Sequence, residues 1–271
     1  MKGNSIPEAI KGMFSFFTMI PINIEREHMD SMNKKFWLIP IIGAFYGLFA
    51  AAVFGLTAEY VSRPVAAAVT IALVAIMNRF LHLDGTIDIG DGLTVAGKHE
   101  YHVRALKDTL VGAGGVCTGI IVVLILYGEY TTLSIASFMF IGVGAEVFAR
   151  LAQITAATFG TAGNGMAGDS VRYTNNASLV KGAILTALIV TGLYFLFYYT
   201  LTGVFHYDLY SRYWAALIVG FAVAMVWGFL MSKIANKNFG MVNGDVLGAT
   251  NETARVVTIF FMILTTVLLE L

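Results

Sequence analysis

Three aspartates, Asp84, Asp88 and Asp91, stand in the segment His82-Leu83-Asp84-Gly85-Thr86-Ile87-Asp88-Ile89-Gly90-Asp91-Gly92. Their spacing is i, i+4 and i+7, which on a helix places all three on one face, within roughly 60° of arc. Like charges packed that closely repel one another, and more strongly at a membrane edge than in water. A hard divalent cation relieves the repulsion. Ligands that are all oxygen favour Mg²⁺ over zinc, with Mn²⁺ as the alternative ion, and Mg²⁺ commonly combines one or two carboxylates with substrate phosphates. Gly85, Gly90 and Gly92 weaken a helix but let a large ligand approach its backbone. The competing reading is a solvated loop of Asp-Gly turns. The acids directly follow a long apolar run, and this favours the cation-binding reading. His82 falls on the opposite face, where an interfacial hydrogen bond and a catalytic role are both open to it.

Two further constellations carry chemistry. In Arg104–Val116, Arg104 and Asp108 are spaced i, i+4, Lys107 adds a second cation, and Gly112 opens a small-residue run. Arg104 and Lys107 could hold phosphate oxygens near a helix N-terminus. A surface ion pair followed by a helix-packing face is the plainer account. In Asn243–Glu252, Asp245 and Glu252 are spaced i, i+7 with Gly248 between them. They form a second oxygen-rich cluster, or Asn243 or Asp245 simply caps the last helix. Glu146 and Arg150 lie i, i+4 inside an apolar run, a spacing that permits mutual neutralisation or function. Loop 158–178 is rich in glycine, either a flexible cover or a plain connection. No serine elbow, zinc spacing or phosphate-loop lysine occurs, so metal-assisted phosphoryl transfer is favoured over covalent catalysis.

The elements that must position these residues are membrane helices. Of 271 residues 58% are hydrophobic and only 13% charged, and the mean hydropathy is +0.76. Such a chain cannot cover a soluble surface. Seven apolar stretches reach spanning length, at about 36–58, 64–83, 110–127, 132–157, 179–203, 213–233 and 254–270. Pro7–Ile20 is too short to span and reads as an interfacial helix broken before Pro21. The expected fold is therefore all-α: a polytopic helical bundle in the lipid bilayer, one domain over residues 1–271. Met1–Asn23 lacks the layout of a secretory signal. With seven crossings, fifteen Lys and Arg fall on the N-terminal side, and only Arg63 and Arg212 on the other. That bias predicts a cytoplasmic N-terminus in the cell membrane, with the three long loops sharing the cytoplasmic face. Basic and acidic residues balance at 17 each, so nucleic acid is not an expected partner.

At these residues the chain resembles the cobalamin synthase family, the adenosylcobinamide-GDP ribazoletransferases. The family segment close to H-x-D-G-L-A-D-T-x-D-G matches His82, Asp84, Gly85, Asp88, Asp91 and Gly92. K-D-x-x-x-G-x-x-G follows at Lys107, Asp108, Gly112 and Gly115, and G-D-x-L-G-A-x-x-E at Gly244, Asp245, Leu247, Gly248, Ala249 and Glu252. F-x-T-x-I-P matches Phe16, Thr18, Ile20 and Pro21, and P-x-x-G matches Pro40 and Gly43. Asn78-Arg79-Phe80 stands where Thr-Gly-Gly is common, and Thr86-Ile87 where Leu-Ala is.

The resemblance implies a Mg²⁺-dependent membrane enzyme that joins adenosylcobinamide-GDP to α-ribazole, or its 5′-phosphate, with release of GMP. Such a transfer is chiefly positioning and charge neutralisation. Asp84, Asp88 and Asp91 are then expected to hold the ion on the pyrophosphate, and Asp245 to hold a second ion or take the hydroxyl proton. Asp91, Asp245 and His82 are the candidate catalytic residues. Arg104, Lys107, Asp108, Gly112, Asn243 and Glu252 are the candidate substrate contacts. Self-association or contact with other corrinoid-pathway enzymes completes the expected partners. The rival readings are a CDP-alcohol phosphotransferase, whose motif Asp88-x-x-Asp91-Gly92 begins but does not complete with arginine, and a cation transporter.

Overall fold

The computed structural model describes residues 5–205 and 210–270. Lys2 and the outer connection at 206–209 lie outside the described residues. Among the described residues the regular structure is helical apart from a single bridge between Ala162 and Val242. The expected all-α membrane bundle is what forms.

Helix α1 (Ile6–Phe17) starts where Ser5 caps it: the Ser5 hydroxyl accepts from the Glu8 amide, and Glu8 reaches back to the Ser5 amide. The Glu8 carboxylate also accepts from Ser31 at 3.0 Å, which ties α1 to α2 (Arg26–Lys34). A single 3₁₀ turn at Phe36–Leu38 leads into α3 (Pro40–Tyr60). Next come α4 (Arg63–Met77), α5 (Leu81–Thr94), α6 (His99–Leu106), α7 (Ala113–Thr132) and α8 (Ile135–Phe159). The chain closes with α9 (Met166–Tyr173), α10 (Asn176–Phe205), α11 (Tyr210–Phe239) and α12 (Gly244–Leu268).

Six helices are long and apolar enough to cross a membrane, those that begin at Phe36, Ala113, Ile135, Asn176, Arg212 and Gly244. The expected seventh span, 64–83, is not one helix. It breaks after Met77, and α5 leaves the axis of α4 at 93°. The break is local: Arg79 and Phe80 both take a φ of 57°, a left-handed conformation that disfavours any residue with a Cβ. The Arg79 guanidinium offsets this by donating to the carbonyls of Ser15 and Phe16, at 3.0 and 2.8 Å. It thereby closes the C-terminal end of α1. At 15 residues α4 is about 22 Å long, short of a full crossing.

Helix α8 lies at the centre and is buried without interruption from Phe140 to Ala157. Within that stretch only Glu146, Arg150, Gln153 and Thr155 are polar, as suits a helix surrounded by others. At one end of the bundle the long connections are knitted together. The Gly163 amide donates to the Val242 carbonyl at 3.0 Å, and the Val242 amide to Thr161 at 2.7 Å. His102 Nδ1 lies 2.8 Å from the Gly92 carbonyl, docking α6 on the end of α5. Ser170 donates to Asn33 at 2.8 Å, joining α9 to α2. Loop 158–178 is thus an ordered connection containing a helix, not a bare glycine loop.

Candidate active site

The i, i+4, i+7 pattern holds, because α5 is helical through Asp84, Asp88 and Asp91. Asp84 is exposed, and Asp88 and Asp91 are half-buried. Asp88 is the carboxylate that the others crowd: Asp245, Asp84 and Asp91 all repel its charge. Asp245 reaches this group because α12 begins ten residues earlier than the apolar run at 254–270 suggested. Asn243 caps α12, accepting from the Val246 amide at 3.1 Å. Its side-chain amide donates to the Asp245 carboxylate at 2.7 Å.

The two aspartate-bearing helices touch at a glycine. A Cβ on Gly85 would lie 2.7 Å from the Asp245 carbonyl oxygen and 2.8 Å from its Cα. Only a bare backbone lets α5 and α12 come this close. The glycine that reads as room for a ligand is therefore spent on helix packing.

Asp91 is held differently from its neighbours. Its carboxylate accepts from the Gly112 amide at 2.6 Å and from the Gly115 amide at 2.7 Å, one on each oxygen. Those are free donors at the start of α7, where a negative group is favoured. Asp91 thus caps α7 from α5, and Gly112 serves that cap.

Among the described residues, no three acidic, histidine or cysteine side chains converge closely enough to cage a metal ion. The fit is to the other mode of Mg²⁺ binding, one or two carboxylates completed by phosphate oxygens. Asp84 and Asp88, one helical turn apart on α5, are the carboxylates such a mode would use.

Along α6, which docks on the end of α5, a cleft of about 650 Å³ is lined by His99, Glu100, Val103, Arg104, Lys107, Asp108 and Thr109. Arg104, Lys107 and Asp108 are all exposed there. The i, i+4 pairing of Arg104 with Asp108 does not form, because α6 ends at Leu106. Asp108 instead accepts from the Leu110 amide at 3.1 Å. Both cations are left facing the cleft's solvent.

His82 and Glu252 lie apart from the open acidic face. His82 is 1% exposed and stacks on Phe17 with ring centroids 6.0 Å apart. Its Nε2 is 3.0 Å from Arg150 Nη1. Glu252 is buried and accepts from Arg255 at 2.8 Å. Arg255 also pairs with Glu146 at 2.8 Å, so Glu146 is neutralised across helices and not by Arg150. Arg255, Gln153 and Asn251 belong to this buried cluster and were not singled out from the sequence. Arg255, three residues after Glu252 in an apolar helix, carried a usable signal: an intramembrane charge needs a partner.

Fold and site together define a multi-pass helical membrane protein that gathers carboxylates, with cations nearby, at one end of its bundle. The model of the cobalamin-5-phosphate synthase family matches residues 9–263, and the chain belongs to that family. A protein of Methanosarcina barkeri named adenosylcobinamide-GDP ribazoletransferase is 30% identical, over 99% of this chain and 95% of its own. Its namesake in Methanosarcina mazei is also 30% identical, over 97% and 94%. That of Methanocella arvoryzae is 29% identical, over 97% of each. No solved structure matches.

Proposed function

We propose that the chain carries out an assembly step of the cobalamin nucleotide loop. The adenosylcobinamide phosphate group passes from adenosylcobinamide-GDP to α-ribazole, or its 5′-phosphate, and GMP leaves. The observation that carries this reading is the backbone contact of the two aspartate helices at Gly85 and Asp245. It occurs in a chain whose relatives, matched over nearly their full length, are named for that transfer.

In the reaction a ribose hydroxyl oxygen bonds to the phosphorus that bears the cobinamide. The bond from that phosphorus to the GMP oxygen breaks, and the hydroxyl proton passes to a carboxylate. Asp245, half-buried and oriented by Asn243, is our candidate to take it. Asp84 and Asp88 would hold Mg²⁺ together with the pyrophosphate oxygens. When bound, the ion supplies positive charge to the pyrophosphate and the leaving GMP. Arg104 and Lys107 would bind phosphate oxygens from the cleft along α6. Asp91 would act by fixing α5 to the start of α7. The Lys and Arg excess supports a cytoplasmic position for this end in the cell membrane.

Purified protein supplied with adenosylcobinamide-GDP is expected to release GMP only when α-ribazole and a divalent cation are both present. A phospholipid product from a CDP-linked donor, or ion flux in liposomes without GMP release, would overturn the proposal.

A further inference from the structure

The buried polar cluster has no part in the chemistry above, yet it touches both helices that do. Arg150 of α8 is fully buried. Its Nη1 donates to Nε2 of His82 at 3.0 Å and to Oε1 of Gln153 at 3.1 Å. Gln153 passes the link on, donating its side-chain amide to the Leu247 carbonyl of α12 at 2.9 Å. The guanidinium carbon lies 5.7 Å from the centre of the Phe17 ring and 5.6 Å from that of Tyr46. Tyr46 itself donates to the Phe17 carbonyl at 2.6 Å. Among the described residues, Nε and Nη2 of Arg150 make no hydrogen bond, so the aromatic faces hold the group while Nη1 does the joining.

The chemistry of the pair assigns a role to His82. Arginine has donors only, so Nε2 of His82 must accept, and the ring is the neutral Nδ1–H form. Its Nδ1 faces the Asn251 side-chain amide at 3.5 Å and Glu252 at 3.9 Å. The amide oxygen of Asn251, otherwise unpartnered among the described residues, is turned to accept from it. The one basic lone pair of His82 is already occupied, which leaves it nothing with which to take a proton from substrate. Placement assigns a role to Arg150. His82 precedes Asp84 by two residues on α5, and Leu247 follows Asp245 by two residues on α12. One rigid guanidinium is thus tied, directly and through Gln153, to the backbone regions that carry both acidic groups. Burying a cation within a membrane bundle is costly.

We propose that Arg150 is a positioning residue for the transfer: through His82 and Gln153 it sets the register of α5 against α12. It thereby fixes the separation of Asp84 and Asp88 from Asp245. The proposal rests on the transferase reading of that site.

The test uses the full chain in liposomes, with GMP release at saturating and limiting substrate, and amide hydrogen exchange over residues 83–92. His82→Ala removes the acceptor, whereas His82→Gln returns an amide oxygen near the place of Nε2. In His82→Ala, kcat is expected to fall about 10- to 100-fold with KM nearly unchanged, the scale set by sub-ångström misplacement of reacting groups. His82→Gln is expected to recover kcat to within about threefold of the parent, with a pH–rate profile of the same shape. Arg150→Met, which cuts the Gln153 link as well, is expected to fall at least as far as His82→Ala, and the double variant no further than Arg150→Met, since the His82 link is then already cut. Arg150→Lys, which keeps the charge without the planar fork, serves where Arg150→Met does not fold.

Exchange over residues 83–92 is expected to quicken in His82→Ala and Arg150→Met but not in His82→Gln. If His82→Gln were as inactive as His82→Ala and lost one limb of its pH profile, His82 would be a proton carrier and the proposal wrong. Unchanged exchange in Arg150→Met would equally refute it, even in a protein that turned nothing over. Absence of GMP release from the parent protein would refute the transferase reading instead.

Discussion

Replacing Gly85 by alanine separates packing from chemistry. The added Cβ would lie 2.7 and 2.8 Å from backbone atoms of Asp245, where ordinary contact begins at 3.4 Å. Backbone atoms cannot swing aside as a side-chain tip can, so α5 and α12 must part by 0.7 Å or more at the point where their acids meet. Misplacement of about 1 Å costs on the order of 100-fold in rate when reacting groups must be held in register. Stability should fall by no more than about 2 kcal/mol. Alanine gains about 1 kcal/mol of helix propensity over glycine, against roughly 1–3 kcal/mol for overpacking. The expected result is therefore a folded protein whose kcat for GMP release is reduced about 30- to 100-fold. Gly192→Ala is the matched control, because nothing lies within 4 Å of a Cβ there, and it should keep full activity. Thermal melting in detergent and steady-state GMP release measure the two effects separately. Parental kcat in Gly85→Ala would refute the argument that this contact sets the site.

Other consequences follow from the same geometry. Asp88→Asn removes the most crowded charge, so in chelator it should melt at or above the temperature of the parent. Asp91→Asn turns an N–H donor toward one of the two amides that the carboxylate accepts, so it should melt several degrees lower, by thermal shift in detergent. Arg104→Gln with Lys107→Gln should raise KM for the GDP-linked donor about tenfold while leaving the melting temperature unchanged, and the residual salt dependence of KM should be weaker.

What could be read from the sequence was whatever is local. The apolar runs located the long helices, and the spacing of Asp84, Asp88 and Asp91 gave their common face, because helical periodicity needs no tertiary information. The family motifs led to the same functional reading that the relatives carry. Three features needed the folded chain. The break at Asn78–Phe80 was hidden because Leu81 and Leu83 carry the apolar run past it and neither left-handed residue is glycine. The partner of Glu146 is Arg255, distant in sequence, so the near neighbour Arg150 was the misleading choice. Asp91 looked identical to Asp84 and Asp88 until the start of α7 supplied two amides for it. The glycines of α5, compatible with ligand approach or helix approach by sequence alone, were decided by what lies opposite Gly85.

The claim on which all this depends is that carboxylates from α5 and α12 act on one substrate. Single-turnover release of GMP from pre-bound adenosylcobinamide-GDP, compared between the parent protein, Asp88→Asn and Asp245→Asn, tests it most directly. The account predicts that each substitution alone slows release at least about 100-fold while the donor remains bound. Rapid release from either variant would show that its helix takes no part, and would contradict the shared site.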